Sequence, residues 1–127
     1  MSKGEIKIRD ILIKEKIYFV REMAFRDLRN GLMRFDFFLP DLNILIEFDG
    51  AQHFRYIKGF HKSKKEYQHS KQNDYYKNSY ALAHKIPLYR IPYWEENNIN
   101  EFNDLIQDKF RVTDKWHNDR IYREHIV

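Results

Sequence analysis

The sequence has no cysteine, which excludes disulfides and thiolate metal sites, so any metal must be held by oxygen or imidazole. The same absence fits a reducing compartment. No stretch approaches the roughly 18 apolar residues of a membrane span, and Met1-Ser2-Lys3-Gly4-Glu5 lacks the apolar run of a signal peptide. A soluble, cytoplasmic protein with no membrane partner is expected. Glycine and proline are scarce, at 4 and 3 residues, and there is no repeat, low-complexity tract or Gly/Ser-rich linker. The 127 residues therefore read as one domain (1–127), with a core over about 4–93 and a C-terminal helical extension over about 97–127.

The net charge of +4 is small but unevenly spread. Arg55, Lys58, Lys62, Lys64, Lys65, Lys71, Lys77, Lys85 and Arg90 face only Glu66 and Asp74 within one segment rich in Tyr, Phe and His. Basic residues interleaved with aromatics suit a phosphate backbone, although a solvated helix face is the commoner cause of a charge run.

The apolar spacing predicts a helix over about 4–16, with Ile8, Ile11 and Leu12 on one face and a capping box from Ser2 and Glu5. A strand over 17–25 and a polar turn over 27–31 follow. The segment 33–50 reads as a β-hairpin, because two apolar-rich runs flank Pro40-Asp41-Leu42-Asn43. That turn sets Leu39 opposite Ile44, Phe37 opposite Ile46, and Asp36 opposite Glu47. One face then carries Phe35, Phe37, Leu39, Ile44, Ile46 and Phe48, and the other Arg34, Asp36, Phe38, Leu45, Glu47 and Asp49. After a loop come a polar helix over 62–84, a strand over 88–93, and a helix from Asn97 or Asn98 through Phe110. The expected fold class is α/β, or α+β with a mixed sheet, in the order α-β-β-β-α-β plus a C-terminal helix.

Asp36 and Glu47, directly across a hairpin, would hold their Cβ atoms roughly 4.5–5.5 Å apart, with Asp49 further along the same face. Carboxylates so close raise each other's pKa unless a positive charge lies between them, and a hard divalent cation such as Mg²⁺ prefers oxygen ligands. Pairing with Arg34 or nearby lysines is the bland alternative. Two acids at the centre of strongly apolar strands, followed by Gly50-Ala51-Gln52-His53, cost sheet stability and look placed for chemistry.

This layout resembles the PD-(D/E)XK, or restriction-endonuclease-like, superfamily. Phe35-Asp36-Phe37 and Ile46-Glu47-Phe48-Asp49-Gly50-Ala51-Gln52-His53 carry the likeness. It is nearest to the branch of very-short-patch repair and phage homing endonucleases with an acid-x-Asp-Gly-x-Gln-His signature. Asp74, Lys77 and Arg90 match that branch's second motif, and the resemblance covers roughly 4–93.

What the resemblance implies is a Mg²⁺-dependent DNA endonuclease, with Mn²⁺ as a substitute cation and no organic cofactor. It would act as a monomer or homodimer, in a bacterium or phage-infected cell, as a homing-type or nicking enzyme. Asp36, Glu47 and the Phe48 carbonyl would bind metal, joined by Glu5, which the capping box explains equally well. His53 would be a general base or transition-state stabiliser, or else a buried core histidine. Asp49 stands where many relatives place a catalytic Lys, so Gln52 or His53 would take over the base role. Lys62, Lys64, Lys65, Lys71, Asp74, Lys77 and Arg90 would bind DNA or support the site, though Asp74 also suits a helical pair with Lys71 or Lys77. The rival readings are a Holliday-junction resolvase and a nuclease-derived DNA-binding module without catalysis.

Overall fold

In the computed structural model, which describes residues 1–54 and 57–114, four strands form one mixed sheet in the spatial order β1-β2-β3-β4. Arg55 and the part of the expected extension over 115–127 lie outside the described residues. Helix α1 spans Lys3–Lys14, followed by β1 (Val20–Ala24), β2 (Arg34–Leu39), β3 (Ile44–Asp49), α2 (Lys64–Ala83), β4 (Leu88–Pro92) and the single-turn α3 (Phe102–Leu105). Strands β1, β2 and β3 are antiparallel neighbours, and β4 joins β3 in parallel after α2 has crossed over. The fold is α+β. Among the described residues no helix is long and apolar enough to cross a membrane.

The hairpin register follows the turn. Leu39 pairs with Ile44 and Phe37 with Ile46, while Asn43 takes the left-handed conformation (φ 54°) that asparagine tolerates. Phe37, Leu39, Ile46 and Phe48 face α1, where Ile8 and Leu12 are fully buried and Ile11 nearly so. Burial of each such side chain contributes about 1.5–3 kcal/mol. The opposite face is also covered: Leu45 and Leu88 pack against Tyr80 and Ala81 of α2.

One residue departs from the expected alternation. Phe35 packs with Leu45 and Tyr80 on the α2 side, not with Phe37. The β1 to β2 register does not slip, since Arg21 pairs with Phe37 and Met23 with Phe35 on either side of Glu22 and Asp36. The pleat itself is distorted there, with Glu22 at a left-handed φ of 54°.

The expected helix from Asn97 or Asn98 through Phe110 is also not formed. A 3-10 stretch at Tyr93–Asn98, the single turn of α3 and a 3-10 turn at Asp108–Phe110 take its place. Asp104 accepts the amides of Asn100 and Glu101, which fixes a fresh helix start, and the Gln107 side chain donates to the Asp104 carbonyl. The apolar positions still serve the core, with Ile99, Leu105 and Phe110 buried against α1. Beyond them the Val112 amide donates to the Leu88 carbonyl, so the chain covers the β4 edge.

Gly4 decides how closely α1 meets the sheet. A Cβ at this position would lie 2.2 Å from the Phe48 ring, so only glycine lets the first turn of α1 settle on β3. Replacing Gly4 by Ala is expected to lower unfolding stability by about 1–3 kcal/mol through overpacking, read as a lower denaturation midpoint at unchanged slope.

Candidate functional site

At the end of the sheet where β3 finishes, Asp36 and Glu47 are laced to each other's strands. The Asp36 amide donates to Glu47 Oε1 at 2.7 Å, and the Phe48 amide donates to Asp36 Oδ2 at 2.8 Å. Two side chains thus take over bonds that a backbone ladder would make, which fixes both carboxylates. Lys77 reaches from α2 to Glu47 Oε2 at 3.0 Å. Burial, followed by the neighbouring Glu47 charge, pushes the Asp36 carboxyl up to about 8, with Glu5 acting in the same direction. The Phe48 amide and Lys77 only partly offset this.

Among the described residues one group of acids joins Asp36 and Glu5, both expected from the sequence, with Glu22, which was not. Oxygens of Glu5, Glu22 and Asp36 all lie within 4.8 Å of one another. Glu5 arrives from α1, whose first turn Gly4 holds against Phe48, and Glu22 from the distorted point of β1. Arg21 Nη2 bridges the first two, at 3.2 Å from Glu5 and 3.3 Å from Glu22. Glu22 escaped the sequence reading because its neighbourhood in β1 offers no motif; its position opposite Asp36 appears only once the three strands are in register.

Asp49 does not join that group. It is buried beside Arg90, whose Nη1 lies 2.9 Å away. The Arg90 Nε donates to Asn78 Oδ1 at 2.7 Å, and its Nη2 lies 3.4 Å from Asp74 Oδ1. Arg90 is therefore a buried organiser of β3, β4 and α2, too enclosed to grip a phosphate. Asn78, absent from the sequence reading, sits one helical turn beyond Asp74.

His53, in the 3-10 turn Ala51–His53, places Nδ1 2.8 Å from Asp74 Oδ2 and 3.7 Å from Asp49 Oδ1. Burial alone would lower its pKa, but Asp49 and Asp74 overcome this and hold it at about 9. Asp74 moves the opposite way: burial would raise it, and Arg90 and His53 together keep it below the usual carboxylate range. Gln52 folds back over Gly50, where a Cβ would meet its Oε1 at 2.5 Å.

The basic run divides by helix face. Lys71 donates to the His53 carbonyl, with burial lowering its pKa, and Lys77 is committed to Glu47. Lys62, Lys64 and Lys65 are exposed around the start of α2, where Ser63 caps the helix by accepting the Glu66 amide.

No family model and no solved structure matches this chain. It is similar to an uncharacterized protein, 307L, of Invertebrate iridescent virus 6, with 30% identity over 64 residues. The match takes in 50% of this chain and 32% of the viral protein, so this chain spans about a third of that relative's length.

Two outcomes follow from the charge network. In NMR titrations the His53 imidazole should lose its proton near pH 9, and in Asp74→Asn its pKa should fall. Because the folded pKa lies above the unfolded value of 6.5, the stability this gives is complete below about 6.5 and lost as pH rises through about 9. A titration near 6.5 in the folded protein would contradict the network. Replacing Arg90 by Met leaves Asp49 and Asp74 without their shared cation, and urea unfolding should show a loss of about 3–5 kcal/mol.

Proposed function

We propose that this chain is a metal-dependent DNA endonuclease of the restriction-endonuclease-like kind, hydrolysing phosphodiester bonds at Asp36 and Glu47. The observation that carries the reading is the lacing of these two carboxylates across β2 and β3, with Asp36 driven up to about 8 beside Glu5 and Glu22. Lys77 and Arg21 neutralise part of this group of acids, yet Asp36 stays raised, and a further cation at its carboxylate would relieve the remaining repulsion. The fold part of the reading is supported by a mixed sheet in which a helix precedes an antiparallel three-stranded unit and a parallel β4 follows α2.

The donor set suits Mg²⁺, or Mn²⁺ in its place, because every nearby ligand atom is oxygen. Asp36 and Glu47 would hold the ion, with Glu5 and Glu22 within reach and the Phe48 carbonyl as a backbone candidate. Such a cation, when bound, acidifies water and neutralises charge on the phosphate. Glu47 is oriented by the Asp36 amide at one oxygen and Lys77 at the other. Lys77 thereby brings an ammonium from α2 to the neighbourhood where Asp49 replaces the lysine common in relatives.

His53 fits the role of a donor better than that of a base. Its Nδ1 is held by Asp74, which leaves Nε2–H for a phosphate or leaving oxygen, and its proton is retained at neutral pH. DNA would lie across the exposed Lys62, Lys64 and Lys65.

Supercoiled plasmid incubated with the protein and Mg²⁺ or Mn²⁺ should be nicked or linearised, and chelator should stop the reaction. Asp36→Asn and Glu47→Gln should each reduce cleavage by at least about a hundredfold while DNA binding persists. Undiminished cutting by either variant rules out the assigned site. Binding by the unmodified protein without any cleavage favours the non-catalytic module.

A further inference from the structure

The loop between β1 and β2 carries features that the nuclease site does not use. Arg29, Asn30 and Gly31 adopt three successive left-handed conformations, with φ of 50°, 56° and 77°. Left-handed backbone is disfavoured for Arg29, whereas asparagine and glycine tolerate it, and strain of that kind persists only where the surroundings hold it. Leu28 and Met33 anchor the loop by burial in the α2-side core. Between them Leu32 is turned outward, 81% exposed.

Three arginines lie within six residues of that outward leucine along the chain. Arg26, Arg29 and Arg34 are all exposed, and among the described residues Arg26 and Arg34 have no ion-pair partner. Asp27 is the acid of this loop, and it is already occupied: it accepts the Tyr80 hydroxyl at 2.7 Å and lies 2.9 Å from His84 Nε2. Arg29 rests over the Tyr76 ring at 5.1 Å, which ties the loop to α2. The positive charge here is therefore not neutralised locally.

We propose that this loop is a second contact for duplex DNA, with Arg26 and Arg34 on backbone phosphates and Leu32 pressed into a groove. The proposal rests on the nuclease reading for its partner. Arg34 closes the β1 to β2 ladder opposite Ala24, two residues before Asp36. Two residues of strand cover about 6.8 Å, so a strand of phosphates lying on Asp36 passes Arg34. An exposed apolar side chain on a loop that also carries exposed arginines fits a surface that is anionic at its rim and apolar at its base edges. A water-facing loop gains nothing from either the strain or the exposed leucine.

Binding of a labelled duplex, measured in chelator over a salt series, tests this. Arg26→Gln/Arg34→Gln should lower the slope of log affinity against log salt by about two and weaken binding several-fold at physiological salt. Leu32→Ser should weaken binding with the slope unchanged. Circular dichroism of both variants should match the parent, because the altered side chains are exposed. If both bind like the parent while Lys62→Gln/Lys64→Gln/Lys65→Gln weakens binding, the loop proposal fails and the nuclease reading stands. A change in oligomeric state for Leu32→Ser with normal DNA affinity also overturns the loop proposal, in favour of a contact between copies. If the parent binds no duplex at any salt, both fall.

Discussion

The buried guanidinium of Arg90 is the constraint around which the carboxylate-rich end of the sheet is arranged. A cation taken almost wholly out of water must be met by acceptors, and Asp49, Asn78 and Asp74 supply them from β3 and α2. That requirement fixes the height of α2 along the sheet. Once Asp74 is at Arg90, Lys77 falls at Glu47 one turn later, and Lys71 one turn earlier reaches the His53 carbonyl. The position and protonation of His53 are thus consequences of a structural ion network.

A second constraint comes from the other layer. Gly4 lets α1 rest directly on Phe48, and Phe48 gives its amide to Asp36. Close approach of α1 is what brings Glu5 to the Asp36 carboxylate, so a packing fact becomes an electrostatic one. The distorted pleat at Glu22 and Asp36 completes this convergence. It sends Phe35 to one core and Phe37 to the other, leaving Asp36 at the boundary where Glu5 of α1, Glu22 of β1 and Glu47 of β3 gather.

Much of the sheet was legible because its signals are local. Pro40 to Asn43 set the turn, and the register of Phe37, Leu39, Ile44 and Ile46 follows from it without knowledge of the rest. The fate of Phe35 was not legible, since a period of two assumes a uniform pleat and the distortion is imposed by pairing with β1. The C-terminal segment misled for a related reason: Ile99, Leu105 and Phe110 have helical spacing, but the spacing reports which residues are buried, and three short turns bury them as well as one helix. Gly4 carried no signal because its role is defined wholly by the distance to Phe48.

The basic helix shows the deeper limit of reading charge from sequence. Tyr67, Lys71, Asp74 and Asn78 recur at intervals of four, three and four, an inward stripe drawn mostly from polar residues. Hydropathy cannot mark such a stripe, so its lysines look like those on the solvent side. In the structure Lys71 and Lys77 are spent on internal acceptors, whereas Lys62, Lys64 and Lys65 at the start of α2 and Arg26 and Arg34 beside the β1 to β2 loop are exposed. A phosphate chain of the proposed kind would therefore meet two separate elements. On the proposed DNA contact, the shape of a duplex, and not the charge of one helix, would be what these two elements read.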